Sequence, residues 1–235
     1  MDKLKLYLSE IYHVIREILV EKTEMFFSLK EKGIYVLPNF LSETHCNSII
    51  SKFLDITDKS NVSNDDTRVF YAEKLIDEMD LVLKNTQLNG LIKSYIGPFA
   101  KKSTMINNTI YRDGGLGSGG GWHRDSALRR QLKFILYLSN VELSNGPFEY
   151  IEGSHKRASK ILLSKEKGLK LRTQRFDTLP KSLHSKPILG KKGTLIIVDT
   201  SGLHRGMPVL EGERFALTEY IFDFKIPQSY AQHSR

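Results

Sequence analysis

The run Gly119-Gly120-Gly121-Trp122-His123-Arg124-Asp125 sets an imidazole and a carboxylate two residues apart behind a glycine-rich loop. On an extended segment side chains alternate with period two, so His123 and Asp125 point to the same side and can reach one metal ion. Two histidines and a carboxylate on one face of an octahedral iron leave three positions open for a chelating co-substrate and oxygen. The third donor must come from elsewhere in the chain. His204 is placed for it, just past the predicted strand Thr194–Val198, in the turn Asp199-Thr200-Ser201-Gly202-Leu203-His204-Arg205-Gly206. Among the seven histidines only His123 has Asp or Glu at +2. His13, His45, His155, His184 and His233 read as surface or loop residues. A lone His-x-Asp is more often structural; here a late histidine and an arginine accompany it. Arg214, ten residues after His204, opens Arg214-Phe215-Ala216-Leu217-Thr218-Glu219-Tyr220. A guanidinium there can grip a carboxylate through two parallel hydrogen bonds, which suits a dicarboxylate co-substrate.

The bulk composition is that of a soluble globular protein, with 235 residues, 40% hydrophobic and 26% charged. Cys46 is the single cysteine, which rules out an internal disulfide and thiolate-rich zinc or iron–sulfur sites. A reducing cytoplasm is the expected setting. Met1 to Lys22 is interrupted by charge throughout and does not read as a signal peptide, and no apolar run is long enough to span a bilayer. The net charge of +8 is uneven: between His155 and Lys192 stand twelve Lys/Arg against Glu166 and Asp177, while the rest of the chain is nearly balanced.

These residues must be positioned by a β-rich second half. Leu4, Leu8, Ile11, Ile15 and Ile18 repeat at helical spacing, so residues 3–30 predict one or two amphipathic helices, with residues 1–25 as an N-terminal extension and 26–235 as the main domain. The stripe packs on the domain or, as the alternative, forms a homo-oligomer seam. Ile34–Leu37 reads as a strand ended by Pro38, and Ser42 as the N-cap of a helix to about Leu54. Residues 58–67 read as a loop and 75–96 as helical. Short strands follow at Thr104–Tyr111, Leu132–Leu138, Phe148–Ile151, Thr194–Val198 and Phe215–Phe222, the spacing of an antiparallel sandwich or barrel.

Trp122-His123-Arg124-Asp125, the stretch from Leu138 through Asn145-Gly146-Pro147-Phe148-Glu149-Tyr150-Ile151-Glu152-Gly153-Ser154-His155-Lys156, then His204 and Arg214, resemble the phytanoyl-CoA dioxygenase family of Fe(II)/2-oxoglutarate oxygenases. The opening Gly33-Ile34-Tyr35-Val36-Leu37-Pro38-Asn39-Phe40-Leu41-Ser42 is also similar, and the likeness covers about residues 26–222. It implies a mainly β fold with flanking helices around a double-stranded β-helix (jelly-roll, cupin-like) core. It also implies iron on His123, Asp125 and His204, and the distal carboxylate of 2-oxoglutarate on Arg214. The implied chemistry is oxidative decarboxylation of 2-oxoglutarate by O2 to succinate and carbon dioxide, coupled to hydroxylation of a C–H bond. The chain departs from the family at Glu152, where Pro is common, and at Gly206, where many members carry a hydroxyl. Thr109, Tyr111 and Thr218 are the candidates for the second 2-oxoglutarate anchor. Asp125 argues against a halogenase.

The substrate is expected to be a small molecule, with Trp122, Arg172 and Arg175 as candidate contacts. The basic segment 155–192 is expected to lie over the iron pocket as a lid that recognises an anion, the bland alternative being a solvated loop. Nucleic acid is disfavoured, because only Phe176 interleaves the charges of that segment. The competing readings are a catalytically silent jelly-roll binding protein, the same fold catalysing a non-hydroxylation oxidation (desaturation, cyclisation or epimerisation), and a zinc or manganese enzyme using the same triad.

Overall fold

Leu132, Phe134 and Leu136 alternate with Lys133, Ile135 and Tyr137 along one central strand, and that alternation divides the molecule. The first set packs under the helices in the larger hydrophobic cluster; the second faces a cavity. The structure is a computed structural model that describes residues 22–57, 66–126, 129–166, 175, 177–179, 182–223 and 225–231, together with Leu4, Tyr7, Leu8 and Ile11.

In chain order, helix α1 (Glu24–Glu31), strand β1 (Ile34–Leu37), α2 (Glu43–Ile56) and β2 (Asp66–Phe70) lead to α3 (Asp80–Leu83), α4 (Thr86–Tyr95) and the long strand β3 (Lys101–Ile110). Strands β4 (Leu132–Tyr137) and β5 (Phe148–Tyr150) are followed by α5 (Arg157–Glu166) and β6 (Lys186–Ile188). Then come β7 (Leu195–Asp199), β8 (His204–Gly206), β9 (Glu213–Phe222) and α6 (Gln228–Ala231). A six-stranded sheet runs β1-β7-β4-β9-β3-β2 and a three-stranded sheet runs β6-β5-β8, with every pairing antiparallel. The expected mainly β architecture with flanking helices is present.

Helices α1, α2 and α4 start where short polar side chains satisfy the first free amides. Thr23, Ser42 and Asn85 accept from Phe26 N, His45 N and Leu88 N at 3.3, 3.3 and 3.0 Å. Their apolar faces, including Phe26 and Leu29, Ile49 and Phe53, and Leu88 and Leu91, bury against Phe134, Leu136, Ile197 and Leu217 of the large sheet. Strand β7 is buried on both faces. Leu195 and Ile197 meet the helices while Ile196 and Val198 pack inside the sandwich with Ile135, Tyr137 and Ala216.

Some expectations are corrected. The stretch 75–96 is not one helix, because Ile76 is extended and Asn85 leaves the helical region to cap α4. The loop expected over 58–67 gives way at Asp66 to β2, an edge strand with few apolar residues; 58–65 lie outside the described residues. The basic segment contains the ten-residue α5 and strand β6, so it is not a structureless loop. Of the N-terminal stripe, Leu4, Leu8 and Ile11 are helical and exposed, while Ile15 and Ile18 lie outside the described residues.

Phe134 is fully buried between the helices and the sheet centre. Phe134→Ala should cost about 3–5 kcal/mol in urea unfolding, as expected for truncating a packed aromatic core residue. A loss under about 1 kcal/mol would show that the helix layer does not rest on this face.

Candidate metal centre

The two histidines are joined by the backbone itself. His123 N donates to His204 O and His204 N donates to His123 O, both at 3.0 Å, an isolated antiparallel bridge beside β8. On its other side β8 pairs with β5, Tyr150 opposite His204. Asp125 N donates to Thr200 O at 3.0 Å, so the extended segment 123–125 stays in register with the turn before His204. The imidazole centroids lie 4.4 Å apart. Gly119 has φ +92°, and a Cβ there would sit 2.7 Å from His123 Cε1, so only glycine lets the loop pass over this ring.

Both imidazoles are oriented the same way. Nδ1 of His123 donates to Gly121 O at 2.9 Å and Nδ1 of His204 to Gly202 O at 3.0 Å. With Nδ1 donating, each Nε2 carries the lone pair. These face the carboxylate: His123 Nε2 is 3.6 Å from Asp125 Oδ1 and His204 Nε2 is 3.7 Å from Oδ2. The three donor atoms lie within 4.8 Å of one another, and His204 Nε2 is buried without a hydrogen-bond partner among the described residues. Burial pulls the His204 pKa down to about 3, helped by His123 and Lys133 and opposed by Asp125. Burial lowers that of His123 as well, against the pull of Asp125. Burial disfavours the charge of Asp125, but Lys133, His204 and His123 together hold its carboxyl well below the usual range. Two neutral imidazoles and one carboxylate, with a buried lone pair left over, fit a divalent transition-metal ion such as Fe(II).

The triad opens on a cavity of about 190 Å3 between the two sheets. Its floor is Lys133, Ile135 and Tyr137 of β4, Ala216, Thr218 and Tyr220 of β9, and Met105 and Asn107 of β3, in the phase set by strand alternation. Arg68, Lys133, Arg175 and Arg214 line it, and Asp125 is the one acidic side chain on its wall among the described residues. Arg214 is buried opposite Thr109 in the ladder. Its Nη2 donates to Thr109 Oγ1 at 3.4 Å, and its Nη1 is buried without a partner among the described residues. Burial lowers the Arg214 pKa against the pull of Tyr137 and Asp66, and the guanidinium stays charged. A desolvated guanidinium with a spare donor, facing a cavity, fits a carboxylate.

A model of the phytanoyl-CoA dioxygenase family matches residues 29–210. The chain belongs to this family. As a member it is a non-haem iron, 2-oxoglutarate-dependent oxygenase. Among solved structures, HygX from Streptomyces hygroscopicus, crystallised with nickel and 2-oxoglutarate, is 13% identical with a TM-score of 0.61, covering 86% of this chain and 87% of its own. The carbocyclase SnoK of nogalamycin biosynthesis is 17% identical, TM-score 0.63, covering 88% and 86%. AviO1 from Streptomyces viridochromogenes Tue57 is 16% identical, TM-score 0.59, covering 88% and 97%. At such identities these share the family fold with this oxygenase, the jelly roll expected from its sequence. No curated protein sequence matches the chain.

The structure brings His123, Asp125, His204, Arg214, Thr218 and Arg175 to one cavity. Thr109 lies behind Arg214, held by Asn107 Nδ2 and donating to Asp66 Oδ1. Tyr111 is more than half exposed beyond the end of β3 and does not line the cavity, so it is removed as a co-substrate anchor. Trp122 is also moved. Strand alternation turns it away from its neighbour His123, to pack with Ile151 and Leu203 under the Arg205 guanidinium. Arg172 lies outside the described residues. The missing hydroxyl at Gly206 has a spatial cause: a Cβ there would be 3.0 Å from Ser118 Cβ, so Ser118 of the glycine loop fills that place on the wall. Reasoning from sequence missed Lys133, although a lysine in phase with Ile135 and Tyr137 was its signal. It also missed Asp66, which accepts from Asn107, Thr109, Ser118 and Arg68. His155 is not a surface residue: it is buried, with Nε2 bonded to Lys30 O.

His123, His155 and His204 are all buried with pKa values below the ordinary 6.5. The unfolded chain therefore takes up protons below pH 6.5 that the folded chain refuses, so stability is full above that pH and falls as pH drops toward the folded values. The metal-free protein should show a lower urea midpoint at pH 5 than at pH 7, and His204→Asn should narrow the difference. Equal midpoints would mean that these imidazoles are not held neutral.

Proposed function

We propose that His123, Asp125 and His204 hold Fe(II), that Arg214 grips the distal carboxylate of 2-oxoglutarate, and that the enzyme oxidises a C–H bond of a small anionic metabolite. The observation that carries this reading is the pair of buried atoms without a partner among the described residues, His204 Nε2 and Arg214 Nη1, on the wall of one cavity. When bound, iron and 2-oxoglutarate supply the oxidation; the protein's part is binding, orientation and exclusion of water. The Nδ1–carbonyl bonds fix both imidazoles, Thr109 and Asp66 steady Arg214, and Thr218 on the cavity floor is the remaining candidate for a second contact to the co-substrate. A silent binding protein would not need a complete donor set kept unprotonated.

The anionic substrate is supported by the cavity's charge rather than by the whole basic segment. Once Arg214 and Lys133 are assigned to the co-substrate end, Arg175 remains at the mouth beside Arg68, whose guanidinium is paired with Asp66. Both also line an adjoining open cavity of about 500 Å3 floored by the loop Gly114–Gly120. Cations at a mouth with low-dielectric walls raise the local concentration of anions. Hydroxylation is the favoured outcome. Epimerisation and cyclisation are the second reading, since the similar folds include the 2-oxoglutarate-dependent epimerase SnoN and carbocyclase SnoK. Buried, unpaired Cys46 suits a reducing cytoplasm, and exposed Leu4, Leu8 and Ile11 suit a homo-oligomer seam.

The test is Fe(II)-dependent conversion of 2-oxoglutarate to succinate by the anaerobically purified protein, followed by product analysis over paired anionic and neutral candidates. His123→Ala, Asp125→Ala and His204→Ala should each abolish turnover with the fold intact by circular dichroism. Their cost should exceed the 10–100-fold typical of changes around a metal's ligands. Normal turnover in His204→Ala would overturn the triad. Arg214→Ala should raise the Michaelis constant for 2-oxoglutarate by about tenfold or more, since a charge-assisted bond is worth about 1.5–3 kcal/mol. Lysine there should restore it only in part, because it lacks the planar fork. Arg175→Gln should lower kcat/KM for anionic substrates and flatten its salt dependence, and leave neutral ones unaffected; equal effects on both would remove the charge argument.

A further inference from the structure

Lys133 is a lysine on the inner face of a central strand, its side chain 12% exposed. The β4–β9 register sets it opposite Tyr220, with Nζ 4.8 Å above that ring. Nζ lies 2.7 Å from Asp125 Oδ2 in an ion pair without an aligned hydrogen bond. A buried cation persists where it is paired, so charge compensation alone would account for its presence. The geometry points further, because of which oxygen it takes. Asp125 presents Oδ1 toward His123 Nε2 and Oδ2 toward His204 Nε2, and both oxygens are within reach of one ion. A carboxylate that gave both would occupy one more position of a six-coordinate ion, the position that a chelating 2-oxo acid needs.

We propose that Lys133 is a positioning residue: by holding Asp125 Oδ2 it restricts the carboxylate to one donor oxygen and keeps open the metal position that 2-oxoglutarate occupies. This rests on the triad reading above. It predicts a split that a merely structural ion pair would not give. Removing the ammonium frees the second oxygen and takes a positive charge away from the ion, so metal binding should hold or tighten while 2-oxoglutarate binding weakens.

The experiment compares the wild-type chain with Lys133→Met, titrating Fe(II) and then 2-oxoglutarate anaerobically. The readouts are the visible charge-transfer band of the ternary complex and the metal dissociation constant. The expected result is metal affinity equal to or above wild type, with 2-oxoglutarate affinity at least about tenfold weaker, or about 1.4 kcal/mol. Unchanged 2-oxoglutarate affinity overturns the proposal, and so does loss of metal and 2-oxoglutarate affinity together. A wild-type chain that binds neither Fe(II) nor 2-oxoglutarate overturns the triad reading and this proposal with it. If Lys133→Met folds poorly, Lys133→Cys alkylated with 2-bromoethylamine restores an ammonium through a thioether. Cys46 is fully buried in the helix layer, and mass spectrometry of the alkylated protein reads which thiol has reacted. Recovery of 2-oxoglutarate affinity on alkylation supports the positioning role; failure to recover in a folded protein overturns it.

Discussion

The exchange of backbone hydrogen bonds between His123 and His204 is the constraint on which the rest of the site depends. Two residues far apart in the chain become nearest neighbours across a ladder, and the ladder sets their side chains on one side. The bridge continues the small sheet past β8, so the donors belong to the sandwich and not to a free loop. Gly119 lets the preceding loop fold over the His123 ring, and Asp125 stays in register through Thr200. Rigid backbone support of this kind keeps donors at metal-binding distances before any ion arrives.

Electrostatics then decide what the cavity can hold. Burial disfavours the doubly protonated form of both imidazoles, leaving Nδ1–H on its carbonyl and Nε2 free, while Lys133 and the imidazoles favour the Asp125 carboxylate, so a cation would face a ready donor set. The same cavity is lined by the buried guanidinium of Arg214, a group suited to meet a carboxylate. Desolvation makes these charges expensive unless each is met, and the structure meets them partly with its own groups and partly with atoms left for ligands. Asp66 shows the first kind, gathering Arg68, Asn107, Thr109 and Ser118 around one carboxylate at the edge of β2.

Behind the metal donors a second polar network anchors the turn that carries His204. Asp199 accepts from Tyr95 OH at 2.7 Å and from Ser201 N at 2.9 Å, and its backbone oxygen accepts from Tyr150 OH. Arg124, next to the donor pair but pointing the other way, donates to Ser154 O and Ser201 O. Apart from the local Ser201–Asp199 bond, every link crosses between elements distant in sequence. The glycine loop, the turn after β7 and the motif after β5 are thereby tied into one body, which couples the helix layer through Tyr95 to the position of His204.

The sequence by itself determined the chemistry's outline. The spacing of His123 and Asp125 specifies a shared side because strand alternation is local, and the late histidine and arginine follow a β-rich run whose turns are written in Gly, Pro, Asn and Ser. Caps at Ser42 and the strands around Leu132 and Phe215 were legible for the same reason: their signals lie within a few residues. Tertiary structure alone decided the rest. Strand alternation puts Lys133 in phase with Ile135 and Tyr137 but cannot say which face meets a cavity, and Lys133 becomes the partner of Asp125 only when β4 sits between β7 and β9. Strand β8 is three residues long and β2 is a polar edge; both exist because of partners elsewhere in the chain. Trp122 and Tyr111 sit beside the right segments yet point to packing and to solvent, since proximity along the chain does not fix direction in space.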